Sequence, residues 1–129
     1  MHSIKTRLLM VQKLTNSTNK GKAAESIACD YLQQKGLKLI TRNYHCRQGE
    51  IDIIMDDNGT TVFIEVRYRK NASFGDAKES ITLQKQNKIR TTALHYLHSF
   101  PEKNNARFDV IAITGENSQQ QFEWVRNAF

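Results

Sequence analysis

The dipeptide Asn58-Gly59 constrains this chain more than any other feature. Both residues accept the positive φ angles that a tight hairpin turn requires. The flanking segments alternate. Glu50 to Met55 sets acidic and apolar residues in turn, and Thr61 to Arg69 brings Val62, Ile64 and Val66 to one side. A period of two on both sides of such a turn predicts two antiparallel strands, each with two different faces. A two-residue turn at Asn58-Gly59 pairs Asp57 with Thr60, which sets Asp52 opposite Glu65 and Glu50 opposite Arg67. A four-residue loop keeps Asp52 and Glu65 on one face as diagonal neighbours, whereas a three-residue loop separates them.

The rest of the chain supplies what such a hairpin must pack against. Ala24, Ile27, Ala28, Tyr31 and Leu32 recur at helical spacing and predict a helix from about Asn19 to Lys35. Asn19 or Thr18 would cap its start, and Gly36 stands where a closing glycine belongs. Leu37 to His45 predicts a strand, followed by a turn at Gln48-Gly49. Residues 70–81 read as a loop containing Gly75. Thr82 is placed to cap a second helix reaching Ser99, with Ile89, Ala93, Leu94 and Leu97 as its buried stripe and Pro101 just beyond its end. Arg107 to Thr114 and Gln121 to Arg126 predict two further strands. The order is therefore helix, three strands, helix, strand, and a short last strand. A meander followed by a right-handed crossover gives an α/β fold with a mixed sheet flanked by helices.

A length of 129 residues suits one domain with its own core. No apolar run approaches the roughly 18 residues of a membrane span. Cys29 and Cys46 do not make a disulfide scaffold; they read as reduced thiols, one of them packed, and point to a cytoplasmic protein. The net charge of +6 is unevenly spread. Residues 1–24 hold Lys5, Arg7, Lys13, Lys20 and Lys22 and no acid, so nearly all the excess sits there. Residues 1–17 lack periodicity and are expected to form a flexible basic arm before a single domain over 18–129. Such an arm is either a phosphate-binding device or a solvated tail.

Two carboxylates facing each other across a hairpin repel. When partly buried they raise one pKa or recruit a cation. Mg²⁺ (or Mn²⁺) is the natural partner, because such hard ions bind one or two carboxylates and leave the remaining positions to water or phosphate. The plain alternative is a solvated polar face on which Arg67 and Glu50 neutralise the acids. Other candidates are weaker. His45 and Cys46 are adjacent but lack a second pair of ligands, and His95 and His98 read as surface histidines. No phosphate-cradling glycine loop and no serine nucleophile motif occurs.

Gly49-Glu50-Ile51-Asp52 followed by Phe63-Ile64-Glu65-Val66-Arg67 resembles the acidic core of the restriction-endonuclease-like superfamily, an Asp and then a Glu-x-Lys on the next strand. From about residue 20 onward the chain is similar to the YraN-like family of uncharacterised bacterial proteins. That resemblance is carried by Gly21 to Glu25, Arg42-Asn43, Gly49 to Asp52, Val62 to Arg69, Lys85, Arg107-Phe108-Asp109-Val110 and Asn127-Ala128-Phe129. It implies a divalent-metal-dependent endonuclease acting on DNA or RNA, DNA above all, with branched or damaged DNA as a substrate and a homodimer as one assembly. Asp52 and Glu65 would be metal ligands, joined by Glu25 as an additional acid from the first helix, with Glu50 behind them. Glu25 by itself reads as an exposed helix acid.

The chain departs from the pattern at one point. Arg67 stands where the superfamily has lysine, and arginine keeps its charge, so it cannot act as a general base. Arg67 can still stabilise a developing negative charge. Lys85 could stand in for the lysine if the start of the second helix approaches the sheet. The alternative is a non-catalytic nucleic-acid-binding module that keeps the nuclease fold. A third reading is a scaffold for protein interactions.

Overall fold

A computed structural model describes residues 17–69 and 81–129. The proposed arm lies outside these residues apart from Ser17, as does the loop with Gly75 apart from Ile81. Helix α1 spans Ser17–Gln34, so Asn19 and Thr18 lie inside it rather than at its cap. Gly36, at φ 103°, closes it, with the Leu37 amide donating to the Leu32 carbonyl. Three strands follow, β1 (Lys38–Cys46), β2 (Gly49–Asp57) and β3 (Thr60–Arg69). Helix α2 (Leu83–His98) then leads to β4 (Ala106–Thr114), and after a short 3-10 turn β5 (Gln121–Val125) ends the sheet.

The five strands lie in the order β1-β2-β3-β4-β5. The β1–β2, β2–β3 and β4–β5 pairs are antiparallel, and β3–β4 is parallel. The fold is therefore the expected α/β arrangement with a mixed sheet. Asn58 and Gly59 take φ 52° and 97°, so the hairpin has the two-residue turn its sequence requires, and Asp57 pairs with Thr60. The first hairpin turns one residue earlier than expected, at Arg47-Gln48, because Cys46 pairs with Gly49. Gly49 serves the strand instead: a Cβ there would meet Thr92 Oγ1 of α2 at 3.0 Å.

The helices cover opposite faces of the sheet. Ala24, Ala28, Cys29 and Leu32 of α1 pack on Ile53, Met55, Val62, Ile64, Ile111 and Ile113. Ile89, Ala93 and Tyr96 of α2 pack on Ile51, Ile54 and Phe63. Each fully buried Leu, Ile or Phe stabilises the fold by about 1.5–3 kcal/mol relative to exposure. β4 is buried on both faces through Val110 to Ile113, as suits a strand with a helix layer on one side and the chain's closing residues on the other. Leu94 departs from the expected stripe and is 68% exposed. The stripe that meets the sheet runs Ile89, Ala93, Tyr96, and Leu94 lies about 100° further round the helix.

Candidate functional site

The β2–β3 ladder starts at the Asn58-Gly59 turn and runs only as far as Ile53 and Ile64. One residue beyond that pair the two strands stop pairing. Ile51 joins the α2-facing cluster together with Ile54, three positions away, so β2 breaks strict alternation across Asp52. Asp52 and Glu65 are therefore not a regular cross-strand pair, as the register alone suggested. Instead, Asp52 Oδ2 accepts a hydrogen bond from the Val66 amide at 2.8 Å, filling a place that a strand partner would take.

Three carboxylates meet through this residue. Asp52 lies close enough to Glu65 on β3 and to Glu25 on α1 to raise both of their carboxyls. Glu65 is buried. Burial first, and then the Asp52 charge, pushes its carboxyl up to about 8, against the opposing pull of Lys85. The same two causes push Glu25 up to about 7, with Arg42 pulling the other way. Glu25 is thus not the exposed acid that helical position alone suggested; its side chain is 13% exposed, and Oε1 is buried without a hydrogen-bond partner. Glu50 is exposed on β2 and pairs with His45, adding its charge from a distance.

Cations surround the acids. Lys85 Nζ lies 3.4 Å from Glu65 Oε2, and Arg67 Nη1 lies 4.0 Å from the same oxygen. Thr82 brings Lys85 there: its hydroxyl accepts from the Lys85 amide at 3.1 Å and fixes the first turn of α2. Arg42 Nη2 is 4.0 Å from Glu25 Oε1 and 3.4 Å from the Lys22 carbonyl, tying β1 to α1 beside the site. Sequence reasoning left Arg42 out of the site because no local period connects an edge strand to a helix acid. The only available signal was the Arg42-Asn43 pair within the resemblance.

Among the described residues no group of three or more His, Cys, Asp or Glu side chains is set to enclose a metal ion. The carboxylates meet pairwise, through Asp52. This donor set still fits a hard dication, since Mg²⁺ needs only one or two carboxylates and completes its shell with water. The buried Glu25 Oε1, without a hydrogen bond, and the crowding that raises Glu25 and Glu65 are what a bound cation would relieve. His45 bonds the Asn43 carbonyl and Cys46 donates to Gln48, so neither pairs with the other as a ligand. His95 is exposed and bonds the Tyr44 hydroxyl, and His98 is exposed.

Fold and site together define an α/β protein with a carboxylate cluster where two central strands part. Residues 24–113 match the model of the family described as uncharacterised protein family UPF0102, and the chain belongs to that family. It is 51% identical to a UPF0102 protein of Nitrosococcus oceani, over 86% of this chain and 91% of that one. It is 52% identical to a UPF0102 protein of Psychromonas ingrahamii, over 90% and 93% respectively. Among solved structures, Pyrococcus furiosus SfsA in complex with Ca²⁺ gives a TM-score of 0.34 at 12% identity, covering 88% of this chain and 64% of that one. No helix among the described residues is long and apolar enough to cross a membrane.

Proposed function

We propose that this chain is a divalent-metal-dependent endonuclease of the restriction-endonuclease-like kind, hydrolysing phosphodiester bonds in DNA. The observation that carries the proposal is the meeting of Asp52, Glu65 and Lys85 where β2 and β3 part, with Lys85 Nζ 3.4 Å from Glu65. Asp52 and Glu65 would hold Mg²⁺ or Mn²⁺, with Glu25 beside them, and the ion would lower the pKa of a bound water and stabilise charge on the phosphoryl group. Lys85 takes the part of the superfamily's lysine, arriving from a helix instead of the strand. Its ammonium orients the attacking water and offsets the charge that builds on the phosphate. Arg67, held at the rim, adds a second fixed positive charge and does not exchange protons. Arg42 positions Glu25.

The test is incubation with duplex, branched and single-stranded nucleic acids plus Mg²⁺ or Mn²⁺, beside Asp52→Asn and Arg67→Lys. Cleavage is expected in the wild type and absent in Asp52→Asn, with unchanged circular dichroism. Equal cleavage by the two overturns the assignment. Branched DNA is the first substrate to try, and a homodimer, checked by sedimentation, is the assembly expected on it.

A specific observation favours a second reading, a binding module without turnover: Lys85 and Arg67 both lie within ion-pair distance of Glu65 and can neutralise it without a metal. That reading predicts tight, salt-sensitive binding and no cleavage by any variant. Removing residues 1–17, which carry Lys5, Arg7 and Lys13, then weakens binding and flattens its salt dependence. An unchanged slope excludes those residues as the contact.

A further inference from the structure

The acidic site does not account for the cleft beside it. Gln48 of the β1–β2 turn and Gln84, Asn87, Lys88 and Thr91 of α2 line a cleft of about 290 Å³. The four α2 residues fall at i, i+3, i+4 and i+7, one face of the helix. The close approach of Gly49 to Thr92 brings the two walls together. Lys85, which reaches Glu65, lies on the same turn of α2 as Gln84 and Lys88, so one turn of the helix serves both the acids and the cleft.

The chemistry of the lining selects the ligand. Among the described residues, neither a carboxylate nor an aromatic ring lines the cleft. It therefore offers no negative charge to a cation and no platform on which a base could stack. Two of its three amide oxygens are engaged within the protein: the Cys46 thiol donates to Gln48 Oε1 at 3.0 Å, and Arg90 donates to Asn87 Oδ1 at 3.4 Å. The Thr91 hydroxyl donates to the Asn87 carbonyl at 3.0 Å. What Gln48 and Asn87 offer a ligand is thus their NH₂ donors, beside the Lys88 ammonium. The remaining wall is largely apolar, so the cleft suits an anion whose body is itself partly apolar, as a sugar-phosphate is. Its volume sits near the roughly 300 Å³ lower bound of small-ligand clefts, room for one nucleotide unit.

We infer that this cleft seats the sugar-phosphate backbone of the substrate strand next to the scissile bond, an inference that rests on the nuclease reading. Contacts of this kind fix the register of a strand and carry no sequence information. Recognition here is therefore independent of sequence, with Lys88 supplying the charge and Gln48 and Asn87 the neutral hydrogen bonds.

The test measures binding of the full chain to a fluorescent single strand and its duplex, as DNA and as RNA, over a salt series. Chelator is present so that binding is read without turnover. Lys88→Gln should weaken binding to every sequence and lower the salt slope by about 1. The double variant Gln48→Ala/Asn87→Ala should weaken binding several-fold with the slope unchanged. Lys103→Gln, beyond the other end of α2, should change neither. If wild type binds and both cleft variants match it in affinity and slope, the cleft assignment is overturned while the acidic site stands. If wild type binds no strand at low salt, either in chelator or with Ca²⁺ in place of the catalytic ion, the cleft and the nuclease reading fall together.

Discussion

Lys85 and Arg67 both lie within ion-pair distance of Glu65, yet the two cations are not equivalent. Lys85 comes closer, 3.4 Å against 4.0 Å, and carries a compact ammonium that can hold a water. Lys85→Ala is therefore expected to lower the cleavage rate by roughly 10²-fold, and Arg67→Ala by less. Single-turnover rates at saturating Mg²⁺ check this, and a larger loss from Arg67→Ala reverses the assignment. The acids also leave a mark on stability. Unfolding returns Glu25 and Glu65 from about 7 and about 8 to an ordinary carboxyl value. Below that ordinary value both states are protonated and the contribution is fully present. As pH rises the unfolded chain releases its protons first, so the contribution is lost progressively until the folded carboxyls ionise. Without divalent metal, the melting temperature should fall as pH rises from about 4.5 to about 8, and fall less in Glu65→Gln. An equal fall in both proteins removes Glu65 as the cause. Added Mg²⁺ should recover most of the loss at the alkaline end.

Among the elements, the hairpins and α2 set the geometry. Thr82→Ala removes the hydroxyl that accepts from the Lys85 amide, and should cost about 1 kcal/mol in urea unfolding. Because the same bond holds the turn carrying Lys85, cleavage should drop along with stability. Gly59→Ala forces a side chain into φ 97° and is expected to cost about 1–2 kcal/mol. The β2–β3 hairpin was legible because its turn chemistry is local and its period is two. The face of α2 was legible only in part. Ile89 and Ala93 fit the predicted stripe, but the choice between Leu94 and Tyr96 for its next member depends on where the sheet lies. Tyr96 is the one that packs, edge-on to Phe63 and Tyr44. Ile89→Ala should therefore cost about 2–5 kcal/mol, while Leu94→Ser stays within about 0.5.

At the scale of the whole molecule, Asp109 fastens the far end of the sheet. It is fully buried and accepts hydrogen bonds from Arg107, from Trp124 Nε1 at 3.0 Å and from the Asn127 amide at 3.0 Å. Arg107 continues to Asp57 at 2.8 Å, beside the Asn58-Gly59 turn, and Phe129 stacks on Phe108. Here lies the physical content of two motifs that carried the resemblance without a role, Arg107 to Val110 and Asn127 to Phe129. Neither periodicity nor spacing could have exposed this network, since it joins residues from three strands and the closing segment. Asp109→Asn should cost about 3–5 kcal/mol by leaving Arg107 short of a buried partner. Trp124 is the chain's one tryptophan, so a shift in its emission reports the break directly. The acidic site was legible to a similar degree: Asp52 and Glu65 stood out on facing strands, whereas the parting of those strands and the reach of Arg42 depend on tertiary structure.

The parallel pairing of β3 with β4 bears on the order in which the molecule is built. The meander from β1 to β3 joins neighbours in sequence and can form early, whereas β4 must return past α2 before its ladder can close. Lys85 rides on that returning segment. A chain emerging from the ribosome would thus hold its carboxylates before it holds their lysine, and any catalytic competence would arrive only when the crossover docks. Refolding followed at once by Trp124 fluorescence and by substrate turnover should show activity rising no earlier than the slowest fluorescence phase.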